Sequence, residues 1–382
     1  MIWLQFAIVA LVACIVTVAL VPAARFIAFR INAVDYPSAR RVNKIPIARF
    51  GGVAMFCGLV AAIAVICIGV NFFGWHFPPQ TPLGTRLSYP GVALGMIAIF
   101  LVGVADDIWD LKPPVKLAGQ IIAASIIAAS GLLLDNMHNP FGSGYISFGW
   151  IAYPLTVFYL VAFTNIINLI DGLDGLASGI TAIAALTIFV FATITMRFNA
   201  AFFCVALVGV CIGFLRYNFY PASIFMGDSG ALLLGMGLGV VSLFATARSA
   251  LFVSLFVPII VAGVPIIDTA AAIIRRLRAH QPIQKADRGH IHHQLLNEGF
   301  SQRKTVLIMW GWTAVLAICA IFITEMRGAA RIPFALLALG VSAFFIVRLK
   351  LLGSVLKHHY NPRPKNHTFY RSNEEDESPH EE

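Results

Sequence analysis

The chain has 382 residues, 59% of them hydrophobic and only 12% charged, with a mean hydropathy of +0.83. A soluble domain carries about twice that charged fraction, so the composition excludes an ordinary soluble enzyme and predicts a polytopic membrane protein. The formal charge of +9 marks basic cytoplasmic loops in such a chain, and no nucleic-acid partner is expected.

Eleven apolar segments follow one another, at about 3–28, 50–73, 90–105, 116–134, 149–167, 177–195, 200–215, 230–247, 251–273, 305–324 and 332–352. Each suits a helical span, and the short alternating segments of a β-barrel are absent. The fold class predicted is therefore all-α, with about 11 transmembrane helices. The first segment has no basic residues before it, which fits an uncleaved span better than a signal peptide. The seventh and eighth are short, and Gly213, Gly230, Gly235 and Gly237 suit close helix packing there. Cys14, Cys57, Cys67, Cys204, Cys211 and Cys319 lie in apolar stretches without ligand spacing and read as small core residues. No internal repeat stands out, so the inverted-repeat mark of many transporters is missing.

Lysine and arginine set the orientation. Of the 27, all but Arg86, Arg197, Arg248, Arg327 and Arg331 fall in one alternate set of loops or the C-terminal tail. That side is cytoplasmic by the positive-inside rule, with the N-terminus outside and the C-terminus inside. Arg275, Arg276 and Arg278 read as topology anchors. The predicted division is a transmembrane catalytic domain at 1–352 and a disordered cytoplasmic tail at 353–382, polar and acidic at its end. The domain's cytoplasmic loops are 29–49, 106–116, 168–176, 216–229 and 274–304.

Five polar groups interrupt the apolar chain, Asp106-Asp107, Asn165/Asn168/Asp171/Asp174, Asn218, Gly227-Asp228 and Asp287-Arg288 with His290, His292 and His293, and all five fall on the cytoplasmic side. Carboxylates beside membrane spans are costly, so a one-sided set predicts a single site for metal, phosphate or protons. The first loop, DYPSARRVNKIPIARFGG, brings Arg40, Arg41, Lys44 and Arg49 ahead of Gly51-Gly52, where backbone amides at a helix start favour anions. In GVADDIWDLKPPVKLAGQ, Asp106 and Asp107 repel one another, so one serves as a base or both need a cation; Lys116 follows. NIINLIDGLDGLASG spaces Asn165, Asn168, Asp171 and Asp174 by threes, on one helix face or a helix running into a turn. RYNFYPASIFMGDSG adds Asn218, Phe225 and Asp228, the last a candidate ligand for a hard cation such as Mg²⁺. The long basic loop ends in Asp287, Arg288, His290, His292 and His293, a mixture better suited to a diphosphate than to zinc, whose usual spacing is missing.

No P-loop, dinucleotide fingerprint or nucleophile elbow is present. Carboxylates for a metal, cations for phosphates and a membrane together predict phosphoryl or phospho-sugar transfer at the cytoplasmic interface, with one lipid partner.

These residues resemble the polyprenyl-phosphate N-acetylhexosamine-1-phosphate transferases over about 1–350, most specifically in DDIWD, NIINLIDGLDGLASG, NFYPASIFMGDSG and DRGHIHH. The short HIHH form is similar to the branch that uses UDP-GlcNAc and undecaprenyl phosphate. The resemblance implies a multi-pass enzyme of the bacterial inner membrane, suggests a homodimer, and implies a reaction. GlcNAc-1-phosphate would pass from UDP-GlcNAc to undecaprenyl phosphate, releasing UMP and starting a cell-envelope glycan such as lipopolysaccharide or teichoic acid. By the same resemblance Asp228 is the ligand of Mg²⁺ or Mn²⁺, Asp106 and Asp107 deprotonate or position the lipid phosphate, and Lys116 steadies its charge. Asn165, Asn168, Asp171, Asp174 and Asn218 line the nucleotide side with Phe225 against uracil, while Arg49, Arg288, His290, His292 and His293 complete the substrate contacts. The chain departs from the family at Asn43, where a histidine is usual, and carries Asp110 where the pentapeptide branch has lysine. The alternatives are another UDP-N-acetylhexosamine donor or, in a different class, a nucleotide-sugar or anion transporter. A CDP-alcohol phosphotransferase is excluded because Asp174-Gly175 is not followed by that family's arginine.

Overall fold

A computed structural model describes residues 2–36, 46–75, 87–138, 145–246, 259–260, 262–278, 290–326 and 328–349. The helices are α1 (Ile2–Arg30), α2 (Gly51–Phe72), α3 (Tyr89–Trp109), α4 (Pro113–Ala129), α5 (Ala152–Ile170) and α6 (Leu176–Ile194). They continue as α7 (Phe198–Asn218), α8 (Gly227–Thr246), α9 (Gly263–Arg278), α10 (Ile291–Asn297), α11 (Gln302–Glu325) and α12 (Ile332–Arg348).

Ten of the eleven apolar segments coincide with one helix each. The segment at 251–273 is described only from Ile259, where α9 follows and runs on to Arg278. Among the described residues nine helices are long and apolar enough to cross a membrane, while α4 has 17 residues. The tail at 353–382, Arg288 and residues 37–45 of the first loop lie outside the described residues.

Local chemistry sets the helix ends. Ser88 caps α3, its hydroxyl accepting from Gly91 N–H at 3.2 Å, and Asp110 closes the same helix in the left-handed region. Pro113 and Pro114 open α4, where a missing N–H is harmless. Gly175, at φ +78°, turns the chain from α5 into α6.

The molecule is built around α8, which packs against α2, α3, α5, α6 and α7. Of its apolar window 94% is buried, against none of that of the last span, Gly328–Arg348. Large exposed apolar residues such as Leu101, Ile122, Phe158, Ile212 and Phe344 lie outside, as lipid-facing spans require. Cys204, Cys211 and Cys319 are core residues as expected, but Cys67 is exposed on α2. Arg276, read from the sequence as a topology anchor, is only 8% exposed, and its Nε has no hydrogen-bond partner among the described residues.

Short strands add to the helical fold. β1 (Val34–Asp35), β2 (Ile47–Arg49) and β5 (Ile224–Phe225) form one patch; β3 (Asn136–His138) and β4 (Tyr145–Ser147) form a hairpin. In the first, β2 runs parallel to β5, with Ala48 opposite Ile224 and Arg49 opposite Phe225. Two to three residues per strand leave no periodicity to read in the sequence.

The approach of α3 to the start of α8 depends on Gly103. A Cβ there would meet Ser229 backbone and lie 2.7 Å from the Asp228 carbonyl oxygen, atoms that cannot rotate away. Gly103→Ala is therefore expected to lose about 1–3 kcal/mol to overpacking. Gly340→Ala, where nothing lies within 4 Å, should leave stability unchanged or raise it. Thermal unfolding in detergent micelles compares the two; equal midpoints would contradict this packing.

Candidate active site

The cleft begins with Asp107 in the last turn of α3. Its Oδ1 accepts from Asp228 N–H at 2.7 Å, and its Oδ2 accepts from Ser229 N–H at 3.1 Å and Ser229 hydroxyl at 2.5 Å. A carboxylate thereby caps the start of α8, matching negative charge to the positive end of the helix dipole. Gly227, at φ +70°, makes the turn, and a side chain there would run into the Asp107 carboxylate. Arg49 Nε lies 3.6 Å from Asp107 Oδ1, and Nη2 donates to the Asp107 carbonyl at 3.4 Å. The β2–β5 pairing sets Phe225 beside Arg49.

Lys116, in the first turn of α4, is the hub. Its ammonium lies 2.8 Å from Asp106 Oδ2, donates to Asp228 Oδ1, and reaches Asn168 Oδ1 at 3.4 Å. Asn168 Nδ2 donates to the same Asp228 oxygen at 2.6 Å, while Asp106 Oδ1 accepts from Leu111 N–H at 2.7 Å. Asp106 and Asp107 thus have different duties: Asp107 is consumed by α8, whereas Asp106 faces Lys116. The side chain of Asp228 keeps 20% of its surface open, that of Asp107 none.

The predicted asparagines and aspartates of α5 and its turn divide in the same way. Asn165 exchanges hydrogen bonds with Gln120 on α4, at 2.6 and 3.3 Å. Asn218, 2% exposed, accepts from Gly175 N–H at 3.0 Å and donates to the Ile224 carbonyl at 3.1 Å, binding the 171–175 turn to β5. Asp174 Oδ2 accepts from Ala222 N–H at 2.9 Å. Burial raises the Asp174 carboxyl above the ordinary range, opposed by that amide. Asp171, where α5 ends, carries no side-chain hydrogen bond or ion pair among the described residues. Burial first, then the charges of Asp228, Asp107 and Asp174, push its carboxyl up from 3.8 to about 8.

The histidine segment arrives from the other side. His292 is buried, and a side chain on Gly172 would come within 2.8 Å of its Nε2, so the ring edge occupies the space that Gly172 leaves. Burial, then the charges of His293 and His290, push His292 down to about 3, which keeps it neutral. Its ring stacks with His290 at 5.6 Å and lies 4.4 Å from that of His293. His290 Nδ1 lies 3.0 Å from Asp268 on α9.

One cleft therefore gathers Arg49, Asp106, Asp107, Lys116, Asn168 and Asp228, with Asp171, Asp174 and His292 along its edge; Asp287 and Arg288 lie outside the described residues. Sequence reasoning missed Gln120, Ser229 and Asp268. Gln120 lies one helical turn from Lys116, Ser229 is inside the GDSG run, and Asp268 is a lone acid in an apolar helix. Among the described residues no three His, Cys, Asp or Glu side chains converge as a metal cage. The donors nonetheless suit a hard cation that keeps phosphate oxygens as ligands: oxygens only, with Asp228 the accessible carboxylate.

Asp171 carries a pH signature. Its folded carboxyl holds a proton up to about 8 and the unfolded one only to 3.8, so stability falls as pH rises through that window. Asp171→Asn removes the penalty. In metal-free detergent solution its melting midpoint should match the native protein near about pH 4 and exceed it by several degrees near about pH 9. A difference that does not change with pH would contradict the shift.

The model of glycosyl transferase family 4 matches residues 89–246, the stretch from α3 through α8 that holds Asp106, Lys116, Asn168, Asp171 and Asp228. A Bacillus subtilis protein named "Probable undecaprenyl-phosphate N-acetylglucosaminyl 1-phosphate transferase" is 39% identical over 315 residues, 82% of this chain and 84% of that protein. A Mycobacterium tuberculosis "Decaprenyl-phosphate N-acetylglucosaminephosphotransferase" is 35% identical over 367 residues, 88% of each chain. A "Phospho-N-acetylmuramoyl-pentapeptide-transferase" of Desulforudis audaxviator is 33% identical over 294 residues, 73% of this chain and 85% of that protein. With its helical membrane-type fold, its one-sided carboxylate cleft and relatives along most of its length, the chain belongs to glycosyl transferase family 4, among the polyprenyl-phosphate N-acetylhexosamine-1-phosphate transferases.

Proposed function

We propose that the chain transfers GlcNAc-1-phosphate from UDP-GlcNAc to undecaprenyl phosphate at the cytoplasmic face of a bacterial inner membrane. The products are UMP and a lipid-linked diphosphate sugar that starts a cell-envelope glycan. The observation that carries this reading is the cluster at Lys116, where the α3–α4 connection meets the starts of α8 and of the α5–α6 turn. Spans of alternating direction bring those connections together only on one face. The lysine and arginine distribution supports the cytoplasm as that face. The GlcNAc-named relatives, at 35–39% identity, support GlcNAc over the pentapeptide donor of the 33% relative.

In this reaction an oxygen of the lipid phosphate attacks the phosphorus that bears the sugar. The bond from that phosphorus to the UMP oxygen breaks, and UMP leaves with the bonding pair. Lys116 binds the incoming lipid phosphate, exchanging part of its contact with Asp106 and Asp228 for the new anion. Asp106 takes any proton the lipid phosphate still carries, since it faces the Lys116 ammonium that receives that phosphate, whereas Asp107 is turned to the start of α8. Asp107 acts by holding Asp228 in place. Mg²⁺ (or Mn²⁺), held by Asp228 and substrate phosphates, would neutralise charge developing on the departing UMP. Asp171 and Asp174, with Asn168 and Phe225, line the nucleotide side. Asn165 and Asn218 brace it through Gln120 and Ile224. Arg49, Arg288, His290, His292 and His293 serve the diphosphate and sugar.

Purified protein in detergent with undecaprenyl phosphate and Mg²⁺ should release UMP from UDP-GlcNAc, and more slowly from UDP-GalNAc or the pentapeptide donor. Asp228→Asn should lower kcat by about 10²–10³ with its melting midpoint within a few degrees of native. No UMP from folded native protein, or normal turnover by the variant, would overturn the reading.

A further inference from the structure

Asp268 lies on α9 in the apolar run VPIIDTAA and is only 2% exposed. A carboxylate this deep needs donors. Among the described residues it has two: Ile291 N–H donates to Oδ1 at 2.8 Å, and His290 Nδ1 lies 3.0 Å from Oδ2. Both belong to the histidine segment at the start of α10, so one carboxylate grips backbone and side chain together. With the carboxylate accepting, His290 Nδ1 carries the proton, and Nε2 is left as the nitrogen that can accept or hand over a proton. His290 in turn lies nearly parallel to His292, at 6°, and His292 fits its edge against Gly172, next to Asp171. The contacts run unbroken from α9 to the carboxylate turn.

We propose that Asp268 is a positioning residue for the transfer: through His290 and Ile291 it fixes the tautomer of His290 and seats the 290–293 segment against the Asp171–Gly175 turn. This rests on the reading of the cleft as a phospho-sugar transferase site. Asp268 does not reach substrate; it determines which nitrogen of His290 does. The lone acid in α9 is thereby explained, as is the ordered path of a histidine run that lacks metal-site spacing.

The test uses full-length protein in detergent with UDP-GlcNAc, Mg²⁺ and undecaprenyl phosphate. Asp268→Asn keeps an acceptor for Ile291 N–H but offers an amide donor to His290, which reverses the tautomer. Turnover should fall on the order of 10- to 100-fold, the scale on which carboxylates that orient functional histidines act. KM for UDP-GlcNAc should rise, and KM for undecaprenyl phosphate should stay the same. Asp268→Glu should recover part of the rate. The double variant Asp268→Asn/His290→Asn should be no slower than His290→Asn alone, because the two act as one unit. Native turnover in Asp268→Asn, or losses that add in full, would overturn the proposal. An independent measurement needs no variant to fold: in ¹⁵N-histidine-labelled native protein, neutral His290 should show its proton on Nδ1, and a proton on Nε2 would overturn the proposal. UMP release by the native protein tests the transferase reading separately, so failure of one is not failure of the other.

Discussion

A carboxylate on one helix holds the beginning of another. Asp107 gives both oxygens to the first amides of α8 and to Ser229, in an interior where an uncompensated charge is expensive. That contact decides where Asp228 stands. It also requires backbone approach at Gly103 and Gly52, and it ties the first loop to the cleft through Arg49 and the β2–β5 pairing. Because α8 is the most enclosed helix, its position is passed on to the five helices around it.

The same rule of compensation orders the rest of the site. Lys116 answers Asp106 and Asp228 at once; Asn218 and Ala222 answer the 171–175 turn; Asp268 is answered by the histidine segment. The exceptions are informative. Asp171 carries no such partner among the described residues, and Arg276 is buried with its Nε unsatisfied. Burial and the neighbouring charges of Asp228, Asp107 and Asp174 are therefore met at Asp171 by a proton, held up to about 8.

Much of this was legible in the sequence because membrane burial writes a coarse signal. A run of about 20 apolar residues is visible without knowing what it packs against. A carboxylate beside such a run is visible too, which is how Asp106, Asp107, Asp171 and Asp228 were found. Pairing is not visible. Asp106 and Asp107 are adjacent in sequence and alike in type, yet one faces Lys116 and the other is a cap, a difference made wholly by α8. Asn218 was expected on the nucleotide side, and its hydrogen bonds to Gly175 and Ile224 could not be read from the sequence. Asp268 was hidden because its partners lie more than twenty residues away across a basic loop, and strands of two or three residues hold no pattern to read.

The central claim is that Lys116 is the lysine that receives the lipid phosphate. Binding of undecaprenyl phosphate to native and Lys116→Met protein, measured by intrinsic fluorescence in detergent beside UDP-GlcNAc binding, tests it most directly. The account predicts that the folded variant loses at least ~10-fold in affinity for the lipid phosphate, since the ammonium is gone and Asp106 and Asp228 remain to repel it. Equal affinity in native protein and variant would contradict it.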